Sequence, residues 1–187
     1  MAAFKVPAET ILDVAEALNA DNLNVVFSHV CALRDMALAD PTGSIEREIL
    51  EHLTSMRHAP ADAILLGWAA LSEDRVQARR IHREVALHGN PMPAWLEALP
   101  HAAITRAFTV KVGDDDRLSI MFEAVADDCT FVMSALIHFP SMGVMEDGYL
   151  LQGTIEEVLE PLQRDGGASI EVAQVSEVQA KTSLEEA

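Results

Sequence analysis

Along the first 88 residues, apolar side chains return every three or four positions. Ile11, Val14, Ala15 and Leu18 form one such stripe, the mark of a helix with one face against a core. Leu23, Val26, Phe27 and Val30 repeat it. Val25, Cys31, Leu33, Met36 and Leu38 fill further faces of that segment and leave a narrow polar strip at Asn24, Ser28 and Asp35. This second helix is therefore expected at the centre of a bundle. Pro41-Thr42-Gly43 breaks the chain. Ser44 is placed to cap a third helix, with Glu46 and Glu48 near the positive end of its dipole and Ile45, Ile49, Leu53 and Met56 on its apolar face. Pro60 suits the first turn of a fourth helix, which carries Ile64, Leu65, Trp68 and Leu71. Ser72 is placed to cap a fifth, running to about Leu87.

The stretch HGNPMPAW, His88 to Trp95, ends this pattern. Gly89 falls where a left-handed residue closes a helix, and Asn90-Pro91 cannot continue it. Pro93 opens a short turn that Pro100 closes, so 91–100 is expected to be a hinge, with Trp95 as the apolar anchor buried between the helical part and the sheet or, if exposed, a binding residue. Beyond Pro100 the period falls from 3.6 to 2. AITRAFTVKV, RLSIMFEAV, CTFVMSALIHF and VMEDGYLL are strand-like runs joined by GDDD, ADD and PSMG, which predicts an antiparallel meander. Thr154 can cap a following helix with Ile155, Val158, Leu159 and Leu162 on its buried side. RDGGAS reads as a linker, and Val172, Val175 and Val178 have helical spacing. The expected architecture is α+β: about five helices over 1–90, the hinge, then a four-stranded antiparallel sheet with a helix over 101–165. A linker and C-terminal helix occupy 166–187, so one or two helices cover the sheet.

Composition narrows the setting. A chain of 187 residues, half of them apolar, can bury a substantial core as one domain or two small ones. No apolar run reaches the roughly 20 residues that span a bilayer. The start, MAAFKVPAETILDV, lacks the basic and apolar regions of a secretory signal. Cys31 and Cys129 stand far apart and read as two buried thiols of a reducing cytoplasm. The net charge of −17 repels nucleic acid and anionic membrane, so neither is an expected partner.

Candidate chemistry is sparse. No phosphate loop, dinucleotide fingerprint, nucleophile elbow or HExxH pattern is present. His52 and His58, like His82 and His88, are six apart and do not share a helix face as zinc ligands would, so no metal and no cofactor are expected. Asp114, Asp115 and Asp116 read as a hairpin tip, either a cation site or, as more often with Asp, a solvated turn. Asp127 and Asp128 read the same way. Arg75, Arg79, Arg80 and Arg83 fall on one side of the fifth helix, away from Ala78, Ile81 and Val85. That face can grip an acidic partner surface or a phosphate, or it is neutralised by acids such as Glu73 and Glu84. One polar pair stands out in the last hairpin. With PSMG as a four-residue loop, Phe139 pairs with Val144 and His138 with Met145, which puts His138 and Asp147 on one face and a diagonal apart. A carboxylate that orients an imidazole serves a general base, or simply closes a hairpin.

Three segments carry a resemblance: LHGNPMPAWLEAL, GDDDRLSIMFEAV and ALIHFPSMGVMEDGYLL. From about residue 60 onward the chain resembles a family of uncharacterised proteins common in actinobacteria, with a helix-Gly-Pro-Trp hinge before a meander. His138 and Asp147 match that family's hairpin pattern, while Ile137 stands where the family carries an aspartate. The resemblance implies a bacterial cytoplasmic protein of α+β build. The first functional expectation is a non-enzymatic protein-binding or regulatory module, with Arg75, Arg79, Arg83 and Trp95 as binding residues. The alternative is a hydrolase with His138 and Asp147 as catalytic residues.

Overall fold

Helices come first. They are α1 (Ala8–Asn19), α2 (Leu23–Leu38), α3 (Ser44–Met56), α4 (Ala59–Ala70), α5 (Arg75–His88) and the short α6 (Ala94–Ala98). Strands β1 (Ala103–Val112), β2 (Arg117–Ala126), β3 (Cys129–His138) and β4 (Val144–Gln152) follow, then α7 (Ile155–Asp165), β5 (Ile170–Val175) and α8 (Glu177–Glu185). The chain is therefore α+β, in the expected order. This computed structural model describes residues 4–112, 117–138, 144–165 and 170–185. It divides into two units, Met1–Pro100 and His101–Ala187.

The helical unit is built round α4. Every residue from Ala61 to Ala69 is buried, and α1, α2, α3, α5 and α6 all pack on this helix. That corrects the expectation for α2, whose Cys31, Met36 and Leu38 are exposed while Leu23, Val26, Phe27, Val30, Leu33 and Ala37 form a single buried face. The physical difference is side-chain size. Ala61, Ala63, Gly67 and Ala69 let neighbours approach α4 from every side. At Gly67 an added Cβ would stand 2.8 Å from Cγ2 of Val30, so α2 lies directly on its backbone.

Two caps also differ from expectation. Ser44 is the first residue of α3, not its cap. Asp40 reaches past it to accept the Ile45 N–H and the Ser44 and Thr42 hydroxyls, and these bonds hold its carboxyl well below the usual range. Asp74, not Ser72, caps α5, accepting from Val76 and Gln77. Gly89 closes α5 at φ 70°, as its position implied. Residues 91–100, expected as a hinge, belong to the helical unit. Trp95 is 2% exposed, and its indole N–H donates to Asp21 in the α1–α2 turn, which makes it an anchor within this unit.

The second unit is a five-stranded antiparallel sheet in the order β4-β3-β2-β1-β5, one strand more than expected. The extra strand is β5, which pairs with β1 from Ala107↔Val175 to Val112↔Ile170. IEVAQV has helical spacing but is rich in the β-branched residues that suit a strand, and the open edge of β1 decides between them. Helix α7 covers one face, with Ile155 and Leu159 against Phe108, Val110, Met121 and Val132. Helix α8 covers the other, with Ala180 against Ala107, Ile120, Phe122 and Ile137. Thr154 and Glu157 form a reciprocal capping box at α7, so Thr154 caps as expected. Asp127 and Asp128 make an exposed two-residue turn, with Asp127 left-handed at φ 49°, whereas Asp114–Asp116 lie outside the described residues.

One buried carboxylate ties α7 to the sheet. Glu123, 5% exposed, faces Arg106 across the β1–β2 ladder and also accepts the Ile155 N–H at the start of α7. Arg106 grips it through Nε (2.7 Å) and Nη2, and holds Glu156 of the same helix turn through Nη1 (2.7 Å) and Nη2 (2.9 Å). These bonds lower the Glu123 pKa despite burial, and bring Glu156 down to about 2.

Two outcomes follow from this packing. Gly67→Ala should destabilise the wild-type protein by about 1 kcal/mol, because overpacking against the stiff Val30 exceeds the helix-propensity gain. In a Val30→Ala background the same change should be neutral or stabilising. Urea denaturation of the four proteins measures this coupling, and a stabilising Gly67→Ala in the wild-type background would contradict the close approach. The second outcome concerns acid. A carboxyl whose folded pKa is depressed contributes stability above its unfolded value and loses it as pH falls through the folded one. The Glu156 contribution should therefore fade between about 4.5 and about 2. Thermal melts should show a shallower loss over that window in Glu156→Gln than in wild type, and identical slopes would remove Glu156 from the clamp.

Candidate binding groove

On α5, Ile81 and Val85 are buried and Arg75, Arg79, Arg80 and Arg83 are exposed, as the spacing implied. Among the described residues, none of these four pairs with a carboxylate, and Arg79 Nε instead donates to the Arg75 carbonyl at 3.1 Å. Glu73 and Glu84 do not neutralise this face. Its guanidiniums are exposed and, among the described residues, in no ion pair.

Beside the arginine face lies a groove of about 610 Å³ between α3 and α5. Both helices rest on α4 and are joined to it by short connections, so they run the same way. Gln77 Nε2 donates to Glu46 at 3.0 Å and ties them at the groove's head. Leu50 and Ile81 lie in its lining, flanked by Arg47 and Arg80, then by Glu51 and Glu84, with Arg57 toward the far end. Arg47–Glu51 and Arg80–Glu84 are both four apart on a helix, yet neither pair closes into an ion pair. Arginine four residues before glutamate is the weaker order for such pairs. The groove thus presents a basic band and, one turn on, an acidic band.

A second polar cluster is sealed in the unit's interior. Asp62, fully buried, holds His88 Nδ1 at 2.6 Å through one oxygen and accepts Asn90 Nδ2 at 2.7 Å through the other. The His88 side chain is 1% exposed, and its Nε2 has no hydrogen-bond partner among the described residues. A carboxylate oxygen accepts, so Nδ1–H is the donor of the contact with Asp62. A carboxylate behind an imidazole also orients general bases, but His88 does not line the groove. The cluster instead joins the start of α4 to the end of α5 and to Asn90, which reaches the Arg57 carbonyl at 3.4 Å.

The second hairpin differs from the expected register at its tip. His138 is opposite Val144 and Ile137 opposite Met145; a shift follows, and beyond it Leu136 faces Asp147 as expected. A β-bulge absorbs the extra residue on β4. The side chains of His138 and Asp147 lie outside the described residues. Cys31 is exposed and Cys129 half-buried, against the expectation of two buried thiols; both are free. Among the described residues no three His, Cys, Asp or Glu side chains gather as a metal site, and no helix is long and apolar enough to cross a membrane.

The sequence carried signals for the residues it did not yield. Asp62 is the one charge in ADAILLGWAA, and Glu123 and Arg106 each interrupt an apolar strand. A lone charge in an apolar run must find a partner, but the partner's position lies in the fold. Asp62→Ala should cost about 3–5 kcal/mol in urea denaturation, since it strands His88 and Asn90 without their acceptor in the interior. A cost under about 1 kcal/mol would show that the cluster holds nothing together.

No family model, no curated protein and no solved structure matches the chain.

Proposed function

We propose that this chain is a non-enzymatic protein-binding module that engages an acidic surface through α5. The observation that carries the reading is the row Arg75, Arg79 and Arg83, exposed and in no ion pair among the described residues. The chain holds 30 acidic residues against 13 basic ones, so acids to pair with are abundant. A basic row left open in such a chain suits an external partner. The reading places the protein in a bacterial cytoplasm, in keeping with its two free thiols and its resemblance to the actinobacterial family. Trp95 supports α6 from within and takes no direct part.

The test is charge reversal at the three arginines against a polyglutamate peptide, followed by fluorescence anisotropy at low and high salt. Exposed ion pairs contribute up to about 1 kcal/mol each, so the triple reversal should weaken binding roughly ten- to a hundred-fold while the melting temperature holds. Added salt should weaken the wild-type complex in the same direction. Equal binding by both proteins would reduce the arginine face to a solvated surface.

A further inference from the structure

The geometry points to a specific occupant for the α3–α5 groove: an amphipathic helix of another protein. On one face it carries an acidic and a basic residue one turn apart, with an apolar residue between them. This goes beyond the proposed function to a neighbouring site, because the groove is lined by Arg47, Arg80, Glu51 and Glu84, whereas Arg75, Arg79 and Arg83 stand outside it.

Groove length, lining and charge order all bear on the occupant. From Glu46 to Arg57 the groove wall rises about 16 Å, which accommodates roughly three turns of a helix. Half-buried Leu50 supplies apolar contact in mid-groove, over a floor closed by the buried Ile81, where an amphipathic helix places its anchor. Arg47 and Arg80 stand one and three residues beyond the Gln77–Glu46 bond, an offset of about 3 Å along the helices that long side chains span. Four residues later on each helix, about 6 Å along the axis, stand Glu51 and Glu84. Both walls therefore carry the same order of charge, and neither satisfies itself. A small anion would meet Arg47 and Arg80 but also the two glutamates one turn away. A uniformly acidic strand would gain at the first band and lose at the second. A helix with opposite charges four apart satisfies both bands at once, because the i, i+4 spacing of its own side chains matches that of the walls. The groove order also accounts for specificity, since like charges brought together there are repelled.

The test uses the full chain and three synthetic helical peptides of equal length. The first presents glutamate and lysine four apart, flanking a leucine. The second carries glutamate at both charged positions, and the third carries glutamine at both. Binding is measured by fluorescence anisotropy against wild type, Arg80→Gln and Glu84→Gln, all at the surface of α5, where neither change removes a core contact. The mixed-charge peptide should bind wild type more tightly than the other two and weaken about two- to five-fold with each variant. Glu84→Gln carries the decision: it should weaken the mixed-charge peptide and strengthen the all-acidic one. If Glu84→Gln strengthens both, or if the mixed-charge peptide binds no better than the glutamine peptide, the inference is overturned. The broader reading is judged separately, because reversal of Arg75, Arg79 and Arg83 tests acidic binding outside the groove. Sedimentation of the wild-type chain supplies a further check. A dimer that Arg80→Gln dissociates would assign the groove to a second copy and overturn the foreign helix.

Discussion

The burial of α4 on all sides governs the helical unit. A helix with no solvent face keeps its backbone bonds internal, so its side chains alone decide how neighbours dock. Alanines and Gly67 bring α2 against its backbone, while Trp68, Ile64 and Leu65 fill the larger gaps. Asp62 is the exception on that surface. Its carboxylate must be satisfied, and the groups that satisfy it are His88 and Asn90 at the end of α5. Fixing that end also fixes which side of α5 meets α4. Ile81 and Val85 face inward, so the arginines face out. The exposed basic row and the groove beside it are thus consequences of one buried acid and one fully packed helix.

The sheet unit solves the same problem in another way. Glu123 is a buried acid placed where a helix begins, and its bond to the Ile155 N–H satisfies a donor that α7 cannot satisfy itself. Arg106 then links that acid to Glu156 one residue into the helix. The net stability from such a cluster is modest, but breaking it strands a charge in the interior. A misplaced α7 would do just that, so the cluster penalises alternatives more than it strengthens the native arrangement. Asp62 acts likewise at the junction of α4 and α5. In each unit a single interior carboxylate sets the position of a helix end.

The strong negative charge of the chain shapes how the α5 face acts. At physiological salt, exposed charges are screened beyond about 8 Å. The arginines therefore work at contact range and do little to steer a partner from afar. Recognition must then come from matched positions on a surface, which favours a groove with ordered charge over a diffuse patch. The two open Arg/Glu pairs provide that order because their sequence direction is the one that closes poorly on a helix.

Much of this fold was legible in the chain. The helix periods of α1 to α5, Gly89 as a helix stop, Thr154 as a cap and the alternation of β1 to β4 follow from local chemistry, which the sequence states directly. The outward arginines of α5 follow from the same period. What the sequence left open depends on contacts between distant segments. Val172 and Val175 keep helical spacing yet are β-branched, and only the free edge of β1 makes a strand of them. α4, apolar all round apart from Asp62, is the helix enclosed, because its small residues admit neighbours on every side, whereas α2 keeps a polar face at Asn24, Ser28 and Asp35. Asp40 and Asp74 cap α3 and α5 in place of the serines nearer in pattern, a choice made by loop geometry. The partners of Asp62 lie 26 and 28 residues away and those of Glu123 lie 17 and 32 away, so no local rule reaches them. The groove itself belongs to no segment: it exists because α3 and α5 share α4 as a support, and only the folded chain sets their basic and acidic bands side by side.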